Sequence, residues 1–321
     1  MSEIDILSFG ETMAMFVAEQ SGDLAQVSHF EKRIAGADSN VAIGLSRLGF
    51  NVAWLSRVGN DSLGRFVTES LQHEGVSCRY VTTDDRYPTG FQFKSLELQG
   101  ADPTVEYFRK GSAASHLSIA DLDPSLLNAR HLHATGIPAA LSDSTRELSR
   151  ELMTRMHQAG RSVSFDPNLR PSLWSSQKTM ITEINALASL AHWVLPGLSE
   201  GMLLTGQEAP ADIAAFYLDL GVEAVVIKLG AHGAYYRTAQ DQGFIAAVPV
   251  RKVVDTVGAG DGFAVGVISA LLENHSFAHA VARGNWVGSL AVQSRGDMEG
   301  LPGRAALNAA FNSPNVLPEP V

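Results

Sequence analysis

Short apolar runs rich in Val, Ile and Leu alternate along the chain with longer segments whose apolar residues recur at helical spacing. The short runs predict strands at Ile4–Phe9, Val52–Val58, His131–Thr135, Ser162–Asp166, Trp193–Leu195 and Ala224–Lys228. The longer segments predict helices at Asn40–Leu48, Leu63–Glu74, Ser142–Ala159, Ile213–Leu220 and Gly260–Glu273. Such alternation, with short connections, is typical of a mostly parallel sheet covered by helices on both faces. We therefore expect a doubly wound α/β fold.

Two segments depart from this alternation. Residues 12–34 and 89–109 contain strand-like pieces, such as Gly90–Leu98, without helices between them. A few antiparallel strands of this kind fit a separate small sheet, which we interpret as a lid over the site. We expect residues 1–311 to form a single α/β domain that carries this lid. The proline-containing tail, 312–321, is expected to be flexible.

Composition and charge restrict the function. The chain has 321 residues, of which 45% are hydrophobic and 18% charged, as in ordinary globular proteins. Its net charge of -10 disfavours a surface for nucleic acid or an anionic membrane. The single cysteine, Cys78, cannot form an internal disulfide. The N-terminus lacks signal-peptide features, and the apolar segment Phe263–Leu272 is far shorter than the roughly 18 residues of a membrane span. We expect a cytoplasmic protein.

One motif joins a loop of small residues to a helix. The stretch Asp255–Gly266 reads DTVGAGDGFAVG, and the first turn of the predicted helix falls near Gly258–Asp261. Unpaired backbone N–H groups and the helix dipole favour an anion at such a terminus. The side chains of Gly258, Ala259 and Gly260 are too small to block a phosphate, so their amides can face its oxygens.

The acid in this turn, Asp261, has two interpretations. It can act as a general base that takes the proton of a hydroxyl attacking a phosphoryl group. It can also be a helix-capping residue, which stabilises a helix by up to roughly 1 kcal/mol. The loop is neither a Walker A loop nor a dinucleotide-binding GxGxxG motif. The local pattern leaves both interpretations open.

The stretch DTVGAGDGF closely resembles the C-terminal signature of the ribokinase-like (PfkB) sugar kinases. Their N-terminal signature is matched by Gly36–Gly49, GADSNVAIGLSRLG, followed by Val58–Gly64, VGNDSLG. The resemblance extends to about residue 311 and implies a ribokinase-like fold. It also implies transfer of the γ-phosphoryl group of ATP to a sugar hydroxyl. In that reaction Asp261 is the general base and the preceding Gly-Ala-Gly amides form the anion hole.

Two further stretches indicate the class of sugar. Phe165–Trp174, FDPNLRPSLW, is similar to a segment shared by 2-keto-3-deoxygluconate kinases and bacterial fructokinases, and Tyr107–Ser115, YFRKGSAAS, to a lid segment of the former. Arg170 offers a planar fork of donors suited to a carboxylate or a phosphate oxygen. Arg109 and Tyr107 are expected to touch the acid end of the sugar or its neighbouring oxygens. The alternatives are a surface arginine and ordinary lid packing of the tyrosine.

The resemblance places further residues at the sugar and the nucleotide. The polar groups of Gly36, Ala37, Asp38, Ser39 and Asn40 are expected to meet sugar hydroxyls, although Asp38 and Asn40 could instead cap a helix. On the nucleotide side the resemblance implies roles for Asn168, for Lys228, Gly230 and Gly233 of the KLGAHG turn, and for Asn285 beside the adenine. A half-exposed polar residue on the helix Ala280–Ser294 is the alternative for Asn285.

The metal ligands implied by the family are less regular. Glu200 is expected to hold Mg²⁺ through water, although Gly197 replaces the asparagine of the family's NxxE motif. Asp255 and Thr256 match positions that help to bind a monovalent cation in some relatives, so a requirement for K⁺ stays open. His131 and His133 alternate on a strand without the spacing of zinc ligands.

These features favour an ATP-dependent kinase that phosphorylates the terminal hydroxyl of 2-keto-3-deoxygluconate. A fructokinase or another PfkB sugar kinase is the nearest alternative. A regulatory protein without catalysis is disfavoured because Asp261 and its loop are intact. A Rossmann dehydrogenase is disfavoured because Phe9–Thr12 provides only one glycine. Exposed strand edges on the lid make a homodimer through the lid plausible.

Overall fold

The computed structural model of the chain describes residues 4–97 and 103–311, so the predicted tail, 312–321, and Leu98 of the lid lie outside the described residues. The strands are β1 Ile6–Phe9, β2 Met13–Ala18, β3 Phe30–Ala35, β4 Val52–Gly59, β5 Ser77–Asp84, β6 Phe91–Lys94, β7 Val105–Phe108, β8 His131–Thr135, β9 Ser162–Asp166, β10 Trp193–Val194, β11 Ala224–Lys228, β12 Gly233–Thr238 and β13 Gln242–Ala246. The helices are α1 Ala37–Arg47, α2 Ser62–His73, α3 Gly136–Leu141, α4 Asp143–Gln158, α5 Gln177–Ala188, α6 Leu198–Thr205, α7 Pro210–Asp219, α8 Ala259–Leu272, α9 Phe277–Ala291 and α10 Arg304–Phe311.

The larger sheet has the strand order β13-β12-β11-β10-β9-β8-β1-β4-β5. Its strands from β5 to β11 pair in parallel, whereas β12 and β13 form an antiparallel hairpin at one edge. Successive residues of a strand face opposite sides of the sheet, so Ile6 and Leu7 enter separate buried clusters. One cluster includes side chains of α3 to α7, and the other those of α1, α2 and α8 to α10. The predicted doubly wound α/β architecture is confirmed.

The second sheet is the predicted lid, with strand order β3-β2-β6-β7. The antiparallel prediction holds for β2 with β3 and for β6 with β7, but β2 and β6 run parallel. They can run parallel because the chain between them passes through β4, α2 and β5 and re-enters the lid from the same end. One face of the lid carries phenylalanines whose neighbouring ring centroids are 4.8–6.2 Å apart, namely Phe16, Phe30, Phe91, Phe93 and Phe108.

Helix α1 begins earlier than its apolar pattern predicts. The predicted start was Asn40, but the helix begins at Ala37 with Gly36 as its N-cap. The polar residues Asp38, Ser39 and Asn40 therefore lie in the first helical turn rather than in a loop. The apolar pattern misses the start of the helix because these three residues are polar. They are nevertheless buried, because they face the site and not the solvent.

Helices α8 and α9 cross at two glycines. A Cβ atom added to Gly266 would lie 2.6 Å from the carbonyl oxygen of Arg283 and 2.6 Å from Cα of Gly284. The two backbones therefore touch directly, and any side chain at the crossing would separate them. This contact fixes α8, whose first turn carries the small-residue loop.

Within the described part of the chain, no helix has both the length and the apolar character that crossing a bilayer requires.

Candidate active site

Two cavities meet at the N-terminus of α8. The first, of about 380 Å³, is lined by residues of the lid, of α1 and of the carboxyl ends of β9 and β11. The second, of about 610 Å³, lies on the other side of the small-residue loop. Both are lined by Lys228, Thr256 and Gly260. A ligand in one cavity can therefore react with a ligand in the other at this loop, which we call the phosphate loop and define as residues 255–261.

Asp261 lies in the first turn of α8 and lines the first cavity. Its Oδ2 accepts a hydrogen bond from Nδ2 of Asn40 at 2.8 Å. Burial raises the pKa of Asp261 to about 7, against the opposing hydrogen bond from Asn40, and the charge of Asp166 adds to the rise. A carboxyl group with a near-neutral pKa is suited to accept a proton from a hydroxyl. Asp261 is not the N-cap of α8, which is Gly258, and its carboxylate accepts from Asn40; as an acid in the first turn it also interacts favourably with the helix dipole.

The start of the phosphate loop requires glycine. Gly258 is the N-cap of α8 with φ of 82°, in the left-handed region. A Cβ atom there would lie 2.2 Å from the carbonyl oxygen of Asp297. The amide of Gly260, as the second helical residue, has no acceptor within the helix. The amide of Ala259 instead donates a long hydrogen bond, 3.4 Å, to the oxygen of Thr256. Gly260 is thus better placed than Ala259 to receive an anion.

The first turn of α1 supplies acceptor atoms to the first cavity. Asp38 and Asn40 are buried, and within the described residues Oδ1 of each has no hydrogen-bond partner. Burial raises the pKa of Asp38 to about 8, partly countered by a hydrogen bond from Thr135, and the charge of Asp261 raises it further. Neither residue is the N-cap of α1, which is Gly36, but Asp38 lies in the first turn and its carboxyl accepts from its own backbone amide. Buried acceptors in a cavity suit the hydroxyl groups of a sugar.

Ser39 does not take its predicted place. Gly36, Ala37, Asp38 and Asn40 line the first cavity, but Ser39 is absent from its lining. Its hydroxyl donates to the carbonyl oxygen of Gly36 at 3.0 Å, back across the first turn. A serine hydroxyl in a helix can donate its hydrogen bond to a backbone carbonyl of the same helix in this way, and the sequence motif does not indicate this.

Arg109 lies in the first cavity, where it is neutralised by an acid that the sequence did not indicate. Its Nε and Nη2 donate to Oε2 of Glu11 at 2.7 and 2.6 Å. Glu11 also accepts a hydrogen bond from Ser112. Arg109 is only 8% exposed, so the surface-arginine alternative is wrong. The pair as a whole is neutral, and it presents the remaining N–H groups of Arg109 rather than a free positive charge.

Tyr107 lies beside this pair. Its ring centroid is 5.9 Å from the guanidinium carbon of Arg109, and it lines the first cavity. The side chain is 50% exposed, which does not fit ordinary packing inside the lid. The sequence placed Tyr107 and Arg109 at the site together, and the structure brings both to the same wall of the cavity.

Arg170 is the remaining positive group of the first cavity. Among the described residues, the cations that line this cavity are Lys94, Arg109, Arg170 and Lys228. Lys94 and Lys228, like Arg109, form ion pairs with acids. Within the same part of the chain, Arg170 forms no ion pair, and its Nη1 donates only to the carbonyl oxygen of Leu169 at 2.9 Å. Arg170 therefore provides the uncompensated positive charge of this cavity, which an anionic group of a ligand would contact.

Lys228 ends β11 between the two cavities. Its Nζ lies 2.5 Å from Oδ2 of Asp166, another acid that the sequence did not indicate. Burial disfavours the charged form, but Asp166 and Glu200 outweigh it and raise the pKa of Lys228. A Cβ atom on Gly260 would lie 3.6 Å from this Nζ. A permanent positive charge is thus held beside the phosphate loop.

Glu200 connects two loops at the edge of the first cavity. Its Oε1 accepts from the amide of Leu169 at 2.7 Å and its Oε2 from the amide of Gly197 at 2.8 Å. Within the described residues, no cluster of three or more ligand side chains is arranged around a common metal position. Mg²⁺ keeps several waters and is usually bound by one or two carboxylates together with phosphates. Glu200 lines the cavity and, over the described part of the chain, its oxygens accept only from backbone amides, so it fits such a hydrated ion, whereas Asp166 is already paired with Lys228.

The carboxylate of Asp255, which the family resemblance implies as a ligand, does not fit a monovalent cation. Oδ2 of Asp255 lies 2.7 Å from Nζ of Lys94, and its Oδ1 accepts from the amide of Val257 at 3.0 Å. Both oxygens of this carboxylate are therefore engaged, one of them by a positive charge of the protein itself.

The second cavity has a mainly apolar lining. Gly230, Gly233 and Asn285 all line it. Asn285 is buried, so the half-exposed alternative is wrong, and its Nδ2 donates to the carbonyl oxygens of Ile245 and Ala246, at 3.0 Å each. Of the residues predicted for the nucleotide, Asn168 lies elsewhere: it lines the first cavity, with φ of 40°.

Comparison with known proteins identifies the family. A model of the pfkB family of carbohydrate kinases matches residues 3–304. This chain belongs to that family. The prediction made from the two signature motifs is thereby confirmed, and the protein is a carbohydrate kinase. It is 52% identical over 313 residues to the 2-dehydro-3-deoxygluconokinase of Bacillus subtilis (strain 168), across 97% of this chain and 96% of that protein.

Solved structures show the same fold. The pfkB protein from Polaromonas sp. JS666 is 52% identical and superimposes with a TM-score of 0.89, across 96% of this carbohydrate kinase and 100% of that chain. A double mutant of the fructokinase from Vibrio cholerae O395, in a form bound to fructose, ADP and a potassium ion, is 30% identical with a TM-score of 0.84. Coverage in that comparison is 96% of this chain and 99% of the other. The predicted ribokinase-like fold is confirmed.

Proposed function

We propose that this carbohydrate kinase transfers the γ-phosphoryl group of ATP to the terminal (6-) hydroxyl of 2-keto-3-deoxygluconate, giving the 6-phosphate and ADP. The observation that carries the proposal is Arg170. Among the described residues it is the cation of the sugar cavity without an acidic partner, which suits a substrate with a carboxylate. The 52% identity to a 2-dehydro-3-deoxygluconokinase, the same sugar acid under another name, supports this choice over a neutral sugar.

In this proposal the sugar lies in the first cavity with its terminal hydroxyl toward Asp261. The carboxylate takes the hydroxyl proton as the oxygen attacks the γ-phosphorus, a contribution of about 10²- to 10⁴-fold for a general base. The amide of Gly260 and the charge of Lys228 stabilise the phosphoryl group while it moves. Asp38 and Asn40 accept hydrogen bonds from other sugar hydroxyls, which their unpartnered oxygens favour.

The nucleotide is assigned to the second cavity. Its mainly apolar lining suits the adenine, beside Asn285, while Gly230 and Gly233 allow the backbone to approach the ribose and phosphates. In this arrangement Asn168, which lines the first cavity, contacts the phosphates of the nucleotide and not its adenine. Glu200 would hold a hydrated Mg²⁺ on the phosphates through water, where such an ion neutralises the negative charge of ATP.

We further propose that residues 1–311 act as one domain and that two copies associate through the aromatic face of the lid. Several phenylalanines share that face, and Phe108 is 49% exposed. An apolar face of this kind is covered in most stable proteins. Light scattering of the full chain should give twice the mass of 34.3 kDa. Phe108→Ser should lower that mass, and a monomeric unaltered chain would exclude the dimer.

A direct test measures ADP release with 2-keto-3-deoxygluconate, gluconate, fructose and ribose as acceptors. The expected result is the highest kcat/KM with 2-keto-3-deoxygluconate, and phosphorus NMR of the product should place the phosphate on the terminal carbon. Asp261→Asn provides the control for background ATP hydrolysis. Higher kcat/KM with fructose or ribose would replace the proposal by a neutral-sugar kinase.

A further inference from the structure

A buried lysine joins the lid to the phosphate loop. Lys94 ends β6 and is 4% exposed. Its Nζ lies 2.7 Å from Oδ2 of Asp255 and 3.2 Å from Oδ1 of Asp297. These acids are 161 and 203 residues away in the sequence. One ammonium group therefore holds three distant segments together beside the reaction centre.

Both acids control the conformation of the phosphate loop. Asp255 is its first residue, and Oδ1 of Asp255 accepts from the amide of Val257 at 3.0 Å. The main chain of Asp297 packs on Gly258, since a Cβ atom there would lie 2.2 Å from the Asp297 carbonyl oxygen. Lys94 thus fixes the loop from two sides, through its first residue and through the segment that its N-cap glycine touches.

The same ammonium group balances charge. Without it, the half-buried carboxylate of Asp255 and the buried carboxylate of Asp297 would stand uncompensated close to Asp261 and to the phosphates of a bound nucleotide. Burial first, and then the charges of Asp166 and Asp297, raise the pKa of Asp261. A cation on Asp297 therefore helps to keep the proposed base ionised. The carboxylates of Asp255 and Asp297 require a small cation between them, and the ammonium group of Lys94 is that cation.

We propose that the ammonium group of Lys94 is the resident cation of the phosphate loop and takes the place of a monovalent metal ion, so that this kinase works without potassium. The inference rests on the proposed phosphoryl transfer. A potassium ion on Asp255 would share an oxygen with an ammonium group and would be repelled by it. Lys94 acts through the loop and touches no reacting atom, so it is a positioning residue.

The unaltered enzyme gives the first test. Its kcat is measured at equal ionic strength in potassium chloride, sodium chloride and tetramethylammonium chloride, the last being too large for the site. The expected kcat is the same in all three salts. Activation by potassium over tetramethylammonium would overturn the proposal, because it would show that a metal site is still in use.

The second test removes the lysine. Lys94→Ala should lower kcat about 10²-fold in tetramethylammonium chloride, the size of effect that follows from misplacing reacting groups by about 1 Å. Potassium or ammonium ions should restore part of the loss, because they can fill the space between the two carboxylates. Lys110→Ala is the matched control, since Lys110 is an exposed lysine of the lid region. Full activity of Lys94→Ala without small cations would overturn the proposal, as would a loss in a folded variant that no cation restores.

Thermal unfolding separates this inference from the proposed function, because it needs no substrate. The melting temperature of the unaltered chain and of Lys110→Ala should be equal in potassium and tetramethylammonium salts, whereas that of Lys94→Ala should rise in potassium. If the chain phosphorylates no sugar, the proposed function fails and these melting temperatures still decide the role of Lys94. If Lys94→Ala does not fold, a potassium-specific stabilisation of the unaltered chain would overturn the proposal, and its absence would support it.

Discussion

The role of Arg170 can be tested by removing its charge while keeping its size. Arg170→Gln leaves a polar side chain of similar reach without the guanidinium group. Within residues 4–97 and 103–311 the arginine makes one hydrogen bond, to the carbonyl oxygen of Leu169, so the substitution leaves no buried acid of that part without a partner. The folded structure should therefore be unchanged, and an effect on activity can be assigned to the substrate.

The size of the effect follows from the exposure of the side chain. Two unit charges about 4 Å apart attract by about 1 kcal/mol in water and about 4 kcal/mol at the effective dielectric near a protein surface. Since Arg170 is exposed, we expect a value near the lower end, about 1.5 kcal/mol. This corresponds to about a tenfold lower kcat/KM for 2-keto-3-deoxygluconate. For fructose, which has no carboxylate, we expect little change.

The assay is coupled ADP release with both acceptors, and the decisive quantity is the ratio of their kcat/KM values. Arg170→Lys serves as a control that keeps the charge but loses the planar fork, and its activity should be intermediate. An equal loss for both acceptors would refute the reasoning, because it would show that Arg170 serves a step common to all sugars. No loss for the sugar acid would refute it too.

Three further predictions concern the base and the helices behind it. Asp261→Asn should lower kcat by about 10²- to 10⁴-fold while ADP binding, measured by calorimetry, is retained; normal turnover would exclude a general base here. Because the pKa of Asp261 is raised to about 7 and only its ionised form accepts a proton, kcat/KM should rise with pH up to about 7 and then level off. A profile without this rise would contradict the assignment. Gly266→Ala should destabilise the fold by about 1–3 kcal/mol, since its Cβ atom would meet the backbone of α9; an unchanged melting temperature would show that the helices can move apart.

The elements with strong periodicity were predictable from sequence. The strands His131–Thr135, Ser162–Asp166 and Ala224–Lys228 have the predicted bounds, because short runs containing Val, Leu, Ile or Phe stand between longer segments of helical period. Strand β5, SCRYVTTD, was not predicted. It lies at the edge of the larger sheet and is mostly exposed or half-buried, so its polar residues hide the pattern.

The site was predictable only where its residues lie together in a motif. Asp261 and Gly258 stand in one short stretch, which gave both the loop and the base. The ion pair of Arg109 with Glu11 joins residues 98 positions apart, and that of Lys94 with Asp297 joins residues 203 apart. Pairs at such separations form only when the sheets assemble. The sequence therefore indicated Arg109 without its acidic partner and did not indicate Lys94 at all.

The crossing of α8 and α9 at Gly266 and Gly284 has a consequence for how substrate choice can change. The crossing holds α8, whose first turn carries Asp261, against α9, which carries Asn285. The residues proposed to take the proton and to bind the nucleotide therefore belong to one rigid unit. Tyr107 and Arg109, by contrast, stand on or directly after β7 of the smaller sheet. Exchanging β7 together with Arg109 between relatives, while keeping Lys94 on β6, should alter the accepted sugar and leave nucleotide affinity intact.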